Sequence, residues 1–150
     1  MQVGEIMKTD VKTATPDGTF AEVAQLLHDH GISSVVVLEG GKLAGIVTER
    51  DLVNVVADGQ DPKTVKVGER MTRQLDTVGP RTDIGEAAEH MARLSIRHLP
   101  IVEGDELVGI ISIRDLTTWA VEEIAGGHEL PDLERSHTAL TAAAEINRRS

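Results

Sequence analysis

Residues 3–52 recur as residues 67–116 at a constant offset of 64, without one insertion or deletion. Val3-Gly4-Glu5-x-Met7 returns as Val67-Gly68-Glu69-x-Met71, and Arg50-Asp51-Leu52 as Arg114-Asp115-Leu116. Between those ends Thr13, Pro16, Glu22, Ala24, Ile32, Glu39, Gly40, Leu43, Gly45 and Ile46 also have identical counterparts, giving 17 identities in 50 positions. A fixed period of this kind marks one supersecondary unit that needs its copy to bury an apolar face. Two copies suit a closed pair better than a solenoid, which takes three or more. A site carried by the repeat should therefore exist twice.

Each repeat reads as strand, helix, hairpin, helix. Thr19 and Glu22 form a capping-box pair, followed by Phe20, Val23, Ala24 and Leu27 on one helical face. In the second copy Asp83 and Glu86 take the cap, and Ile84, Ala87, Ala88 and Met91 the face. Gly31 and Ser95 stand at the C-terminal ends of these helices. Apolar strands over 34–38 and 98–102 lead through glycine turns at Gly40-Gly41 and Gly104-Asp105 into strands over 43–47 and 107–111. The closing helices stop near Gly59 and Gly126-Gly127. Val3–Met7 and Val67–Met71 are expected as single helical turns leading into their own units. The divisions are therefore 1–60, 61–125 and a tail over 126–150, within a length that suits one compact domain.

Composition narrows the function. No apolar run reaches the roughly 18 residues of a membrane span, and the polar start is no signal peptide. Cysteine is absent, which removes disulfides, thiolate nucleophiles and thiolate metal ligands and fits a cytoplasmic protein. A net charge of −10 repels phosphate backbones, and Phe20 and Trp119 are the only aromatics available to stack bases. Neither nucleic acid nor membrane is an expected partner. His28 and His30 point to different faces of one helix, so no metal site is expected. His90 and His137 read as solvent-facing. No nucleophile-plus-base group recurs, so no catalytic residue is assigned and the chain is not read as an enzyme.

The chemistry concentrates where the last strand of each repeat enters its last helix. The segments are Gly45-Ile-Val-Thr48-Glu-Arg50-Asp51 and Gly109-Ile-Ile-Ser112-Ile-Arg114-Asp115. A hydroxyl at a helix head can bind phosphate oxygens beside free N–H groups, and a carboxylate three residues on can accept both hydrogen bonds of a ribose diol. The plain alternative is an N-cap with an acidic first turn. Recurrence in both copies, with glycine three before the hydroxyl, favours the binding role.

With these motifs the chain resembles a tandem pair of CBS domains, the module named after cystathionine β-synthase. The resemblance covers about residues 1–125. It rests on the Val-Gly-Glu-x-Met lead-ins, Thr13-x-x-Pro16 and Thr77-x-x-Pro80, the segments from Ile32 and Ile96, and the two strand-to-helix motifs. It implies an α+β fold of two βαββα motifs packed about a pseudo-two-fold axis. It also implies a regulatory module that binds an adenosyl ligand: AMP, ADP or ATP, and behind these S-adenosylmethionine or NAD. No cofactor is obligatory, and the regulated partner protein is unknown. The competing reading is a ligand-independent scaffold for protein–protein contact.

In similar modules each cleft combines the motif of one repeat with strands of the other. That implies one pocket of Thr48, Arg50 and Asp51 with Asp76, Thr77, Arg97, His98 and Pro100. The second would join Ser112, Arg114 and Asp115 to Lys12, Thr13, Ser33 and Ser34. His98 would add to phosphate binding as it gains a proton near pH 6.

Phe20 and Trp119 sit at core periodicity, yet the closing helices present Leu52, Val55, Val56, Leu116 and Trp119, more than one core needs. Those faces point to an isologous homodimer, with Trp119 reporting its dissociation. In the tail, Leu133, Leu140, Ala144 and His137 fall along one side of a short helix over 133–149, read as a frayed terminus in preference to a docking arm.

Overall fold

Glycine conformation sets the hairpin on which the first repeat is built. Gly40 and Gly41 both have positive φ, 58° and 78°, and close a two-residue turn between β2 (Ser34–Glu39) and β3 (Lys42–Thr48). The antiparallel register pairs Ser34 with Thr48, Val36 with Ile46 and Glu39 with Lys42. A short β1 (Thr13–Ala14) adds in parallel beside β2, giving the order β1-β2-β3. The computed structural model describes residues 1–126 and 130–149, with the side chains of 130–136 and 149 left out. Gly127, His128 and the side chains of Pro131 and Leu133 thus lie outside the described residues.

The chain divides into two compact units, and the units of packing are not the units of repetition. One is Asp10–Leu75 and the other joins Met1–Thr9 to the chain from Asp76 onward. Each lead-in was expected to enter its own repeat, and instead each docks on the other copy's helix entry. In the first unit, α3 (Val67–Arg70) lies on the turn before α1 (Phe20–His30), with Val67 N–H donating to the Gly18 carbonyl at 2.8 Å and Gly68 N–H to Pro16 at 2.9 Å. In the second, Val3 N–H donates to Thr82 at 2.8 Å and Gly4 N–H to Pro80 at 2.9 Å, ahead of α4 (Ile84–Leu94). The repeated Thr-x-x-Pro and Val-Gly-Glu motifs are thus the two halves of one contact.

Each unit has its own core. The first packs Phe20, Val23 and Leu27 of α1 against Val35, Val37 and Val47 of the sheet and Val55 of α2 (Glu49–Ala57), closed by Val67 and Met71. Thr19 caps α1 through a reciprocal box with Glu22, and Gly31 ends it at φ 59°. The second core gathers Val3, Ile84, Met91, Leu99, Ile101 and Ile111 with Leu116 and Trp119 of α5 (Ile113–Gly126). Its sheet is β4 (His98–Glu103) paired with β5 (Glu106–Ser112). Here the counterpart of β1 is reduced to a single parallel bridge from Val78 to Ile101. Pro100 explains the loss: Val36 N–H donates to the Lys12 carbonyl at 3.2 Å, and proline at the equivalent place has no N–H to give.

Three expectations change. The tail is not frayed: α6 (Leu130–Arg149) packs on α4 and α5 and buries Ala139, Ala142 and Ile146 in the second core. Its buried side is therefore not the one expected, since Ala144 and His137 are exposed and Leu140 only half-buried. Small alanines let helices approach closely, and Leu140 packs at the margin of the same core. Val55, Leu116 and Trp119 are core residues, so Trp119 at 5% exposure would not report dissociation of a dimer. On the closing helices, Val53 and Val56 of α2 and Val121 and Ile124 of α5 are left exposed.

The glycines three before the cap hydroxyls have a packing role. A Cβ on Gly45 would lie 2.8 Å from both the Met71 sulfur and the Thr72 carbonyl oxygen. On Gly109 it would meet the Met7 sulfur at 2.5 Å and the Lys8 carbonyl at 3.0 Å. Gly45→Ala should therefore push Thr72 off Ile46, to which it is held by hydrogen bonds of 3.0 and 3.1 Å, and lower stability. The expected loss is about 1–3 kcal/mol in urea unfolding; an unchanged midpoint would show that the lead-in contact does not constrain this glycine.

Candidate functional site

Both strand-to-helix junctions are built alike. Side chains alternate along β2 and β3, so Val35, Val37 and Val47 turn into the core while Ser34 and Thr48 share the opposite face as cross-strand partners. His98 and Ser112 are the corresponding pair across β4 and β5. The start of each hairpin also caps the helix that follows it. The Ser33 carbonyl accepts Glu49 N–H at 3.1 Å, and the Arg97 carbonyl accepts Ile113 N–H at 2.9 Å. These bonds satisfy one of the free donors at each helix head.

The aspartates close the caps. Asp51 Oδ2 accepts the Thr48 N–H at 2.8 Å and its hydroxyl at 3.2 Å. Asp115 Oδ2 accepts the Ser112 N–H and hydroxyl, both at 2.8 Å, and Asp115 N–H returns a bond to the hydroxyl at 3.2 Å. Each carboxylate thus commits one oxygen to its own cap and keeps the other outside it. The cap and binding readings are compatible: the cap orients the carboxylate.

The expected site residues divide between the units. Lys12, Thr13, Ser33, Ser34, Thr48, Arg50 and Asp51 belong to one, and Asp76, Thr77, Arg97, His98, Pro100, Ser112, Arg114 and Asp115 to the other. The resemblance groups residues across the two; what each unit by itself brings together is Ser33 and Ser34 with Thr48 and Asp51, and Arg97 and His98 with Ser112 and Asp115. Arg50 and Arg114 are exposed in the first turns of α2 and α5. Lys12 is paired with Asp10 at 3.0 Å, and Thr13 is exposed in β1. Asp76 lies 3.6 Å from His90, which is half-buried and not solvent-facing as expected. Thr77 is exposed and Pro100 is buried. No group of three or more metal-ligating side chains occurs among the described residues.

One residue at this site escaped the sequence reading. Lys8 Nζ lies 3.5 Å from Asp115 Oδ1, the oxygen not used by the cap. Backbone bonds of 2.9 and 3.0 Å hold Lys8 along Ile110, as Thr72 is held along Ile46 in the other unit. The offset of 64 equates Lys8 with Thr72, so the difference in charge was visible, but nothing local connected Lys8 to a motif more than a hundred positions away.

His98 does not behave as expected. Burial pushes its pKa down to about 4; Asp115 opposes this, while Arg97 and Lys8 reinforce it. It is therefore neutral near pH 6 and cannot add positive charge there. Its depressed pKa means that the unfolded chain binds the proton more tightly. Stability contributed by neutral His98 is thus complete above about pH 6.5 and is lost as pH falls toward 4. Between pH 6.5 and 4.5 the wild-type chain should lose about 2 kcal/mol more than His98→Gln. Parallel pH profiles in urea titrations would show that His98 is not held neutral.

Comparison with known proteins accords with the geometry. The CBS domain family model matches twice, over residues 3–58 and 67–122. The chain is 33% identical over 136 residues to the CBS domain-containing protein YhcV of Bacillus subtilis, covering 90% of this chain and 96% of that one. Other curated relatives are longer, and the chain spans 61% and 65% of two of them. A protein with CBS domains from Burkholderia ambifaria superposes with a TM-score of 0.76 at 31% identity, covering 87% of this chain and 98% of that one. The CBS domain pair of protein MJ0100, solved with 5′-methylthioadenosine and S-adenosylmethionine, gives 0.73 at 26% identity, covering 79% and 98%. The doubled hairpin-and-cap architecture and these matches agree: the chain belongs to the CBS-domain family.

Proposed function

We propose that this chain is a regulatory module that binds an adenosyl ligand and conveys its presence to a separate protein, without catalysing a reaction. The observation that carries this reading is the doubled cap, in which Asp51 and Asp115 are each fixed by their own helix head through one carboxylate oxygen, with the second oxygen outside the cap. A carboxylate so held is suited to a ribose diol, and the hydroxyls and dipoles of α2 and α5 favour an anionic substituent nearby. Arg50 and Arg114 in the first turns supply donors for the same group, and Ser33, Ser34, Arg97 and the neutral His98 flank the caps. Lys12, Thr13, Asp76, Thr77 and Pro100 complete the proposed set. The occurrence of adenosyl ligands in the MJ0100 pair supports the ligand class. AMP, ADP and ATP are the proposed ligands, ahead of S-adenosylmethionine and NAD. A cytoplasmic setting is consistent with the cysteine-free sequence, and no helix of the described residues is long and apolar enough to cross a membrane.

The reading also has the chain self-associating, because Val53, Val56, Val121 and Ile124 leave apolar helix surface exposed. A two-fold contact between such faces closes without polymerising.

Two measurements test these statements. A ligand bound only by the folded chain, at 100 times its dissociation constant, adds about 2.7 kcal/mol and should raise the melting temperature by about 5–10 °C. If millimolar AMP, ADP, ATP, S-adenosylmethionine and NAD all leave it unmoved, the ligand-independent scaffold becomes the better account. Light scattering at high micromolar concentration should give twice the 16.1 kDa mass of the chain; a mass of one chain would exclude the dimer.

A further inference from the structure

The two caps differ in charge, with Lys8, Arg97 and Ile113 beside Asp115 where Thr72, Ser33 and Glu49 stand beside Asp51. Lys8 meets the second oxygen of Asp115 at 3.5 Å, and the side chain of Lys8 is 56% exposed while that of Asp115 is 15% exposed. Thr72 occupies the equivalent place beside β3, held by the same pair of backbone bonds to Ile46. It has no charge to offer. The flanking residues add to the difference, since Arg97 and His98 in one unit correspond to Ser33 and Ser34 in the other. His98 feels both Lys8 and Arg97 electrostatically, which places all three in one neighbourhood with Asp115. In the other unit Lys12 is already paired with Asp10 at 3.0 Å.

From this we infer that Lys8 is a specificity residue: the Asp115 site selects adenosyl ligands with a 5′-phosphate, and the Asp51 site accepts uncharged ones. The inference rests on the adenosyl-binding reading above and names the ligand class for each cap. A ribose diol approaching Asp115 has to displace the Lys8 ammonium from Oδ1. A neutral nucleoside offers that ammonium nothing in return, so binding is opposed by a lost ion pair. A nucleotide offers a phosphate, and the ammonium exchanges a carboxylate partner for a charge-assisted bond to the ligand. At Asp51 neither effect operates, because Thr72 neither occupies the carboxylate nor attracts a phosphate.

AMP and 5′-methylthioadenosine are a suitable pair of probes, since they share the nucleoside and differ in charge at the 5′ position. Calorimetric titrations in an Asp51→Asn background read the Asp115 site, and those in Asp115→Asn read the Asp51 site. Asparagine keeps a side-chain oxygen for the cap, so each background retains its fold. At the Asp115 site, Lys8→Met should weaken AMP about tenfold and leave 5′-methylthioadenosine unchanged or several-fold tighter. At the Asp51 site, Thr72→Lys should shift the preference toward AMP by about the same factor. The inference is overturned if Lys8→Met changes both ligands equally, or if Thr72→Lys leaves the preference unmoved, while adenosyl binding itself persists. If neither probe binds the wild-type chain or either background, the adenosyl-binding reading falls, and this inference with it.

Discussion

The rest of the structure depends on the docking of each lead-in against the other copy's sheet and helix entry. Met71 and Thr72 run so close to β3, and Met7 and Lys8 so close to β5, that only glycine fits at Gly45 and Gly109. The backbone bridges at Thr72–Ile46 and Lys8–Ile110 cover sheet edges that a two- or three-stranded hairpin would otherwise leave open. Val67 and Val3 then close the two cores, each of which takes residues from both ends of a long stretch of chain. Neither repeat completes its own core, which is the physical reason for there being two.

This exchange also links fold to site. The segment that closes a core emerges beside the helix cap, so its next side chain reaches the aspartate. At Asp115 that side chain is Lys8, and at Asp51 its counterpart is the uncharged Thr72. Two junctions with nearly the same backbone thereby acquire different electrostatics. Duplication preserves the cap, because the cap is needed to start the helix. It leaves the neighbouring positions free to diverge, because they are exposed and carry little packing.

The elements themselves were legible because their signals are local. The capping box at Thr19 and Glu22, the helix end at Gly31, the hairpin glycines and the apolar strand over 34–38 appear in the structure as expected. So do the strand-to-helix caps, since a hydroxyl and a carboxylate three residues apart meet within one helical turn. Ser95 was also placed correctly as a helix end, although it takes φ 54° without being glycine.

What failed were judgements about which face meets which neighbour. Val55, Leu116 and Trp119 read as surplus apolar surface until α1, α4 and α6 were seen to cover their own units. The tail read as a frayed end because it is a terminal segment outside the repeat, and only contact with α4 and α5 makes Ala139, Ala142 and Ile146 interior. His98 read as titratable near neutrality because its desolvation depends on what packs around β4. The sequence by itself determined the repeat, the secondary structure and the two caps, all of which arise from residues within a few positions of each other. Only the tertiary structure decided which lead-in completes which core, which helix face is buried and which aspartate has a lysine beside it. Those outcomes depend on contacts between residues far apart in the chain, and residue type and spacing do not encode such distances.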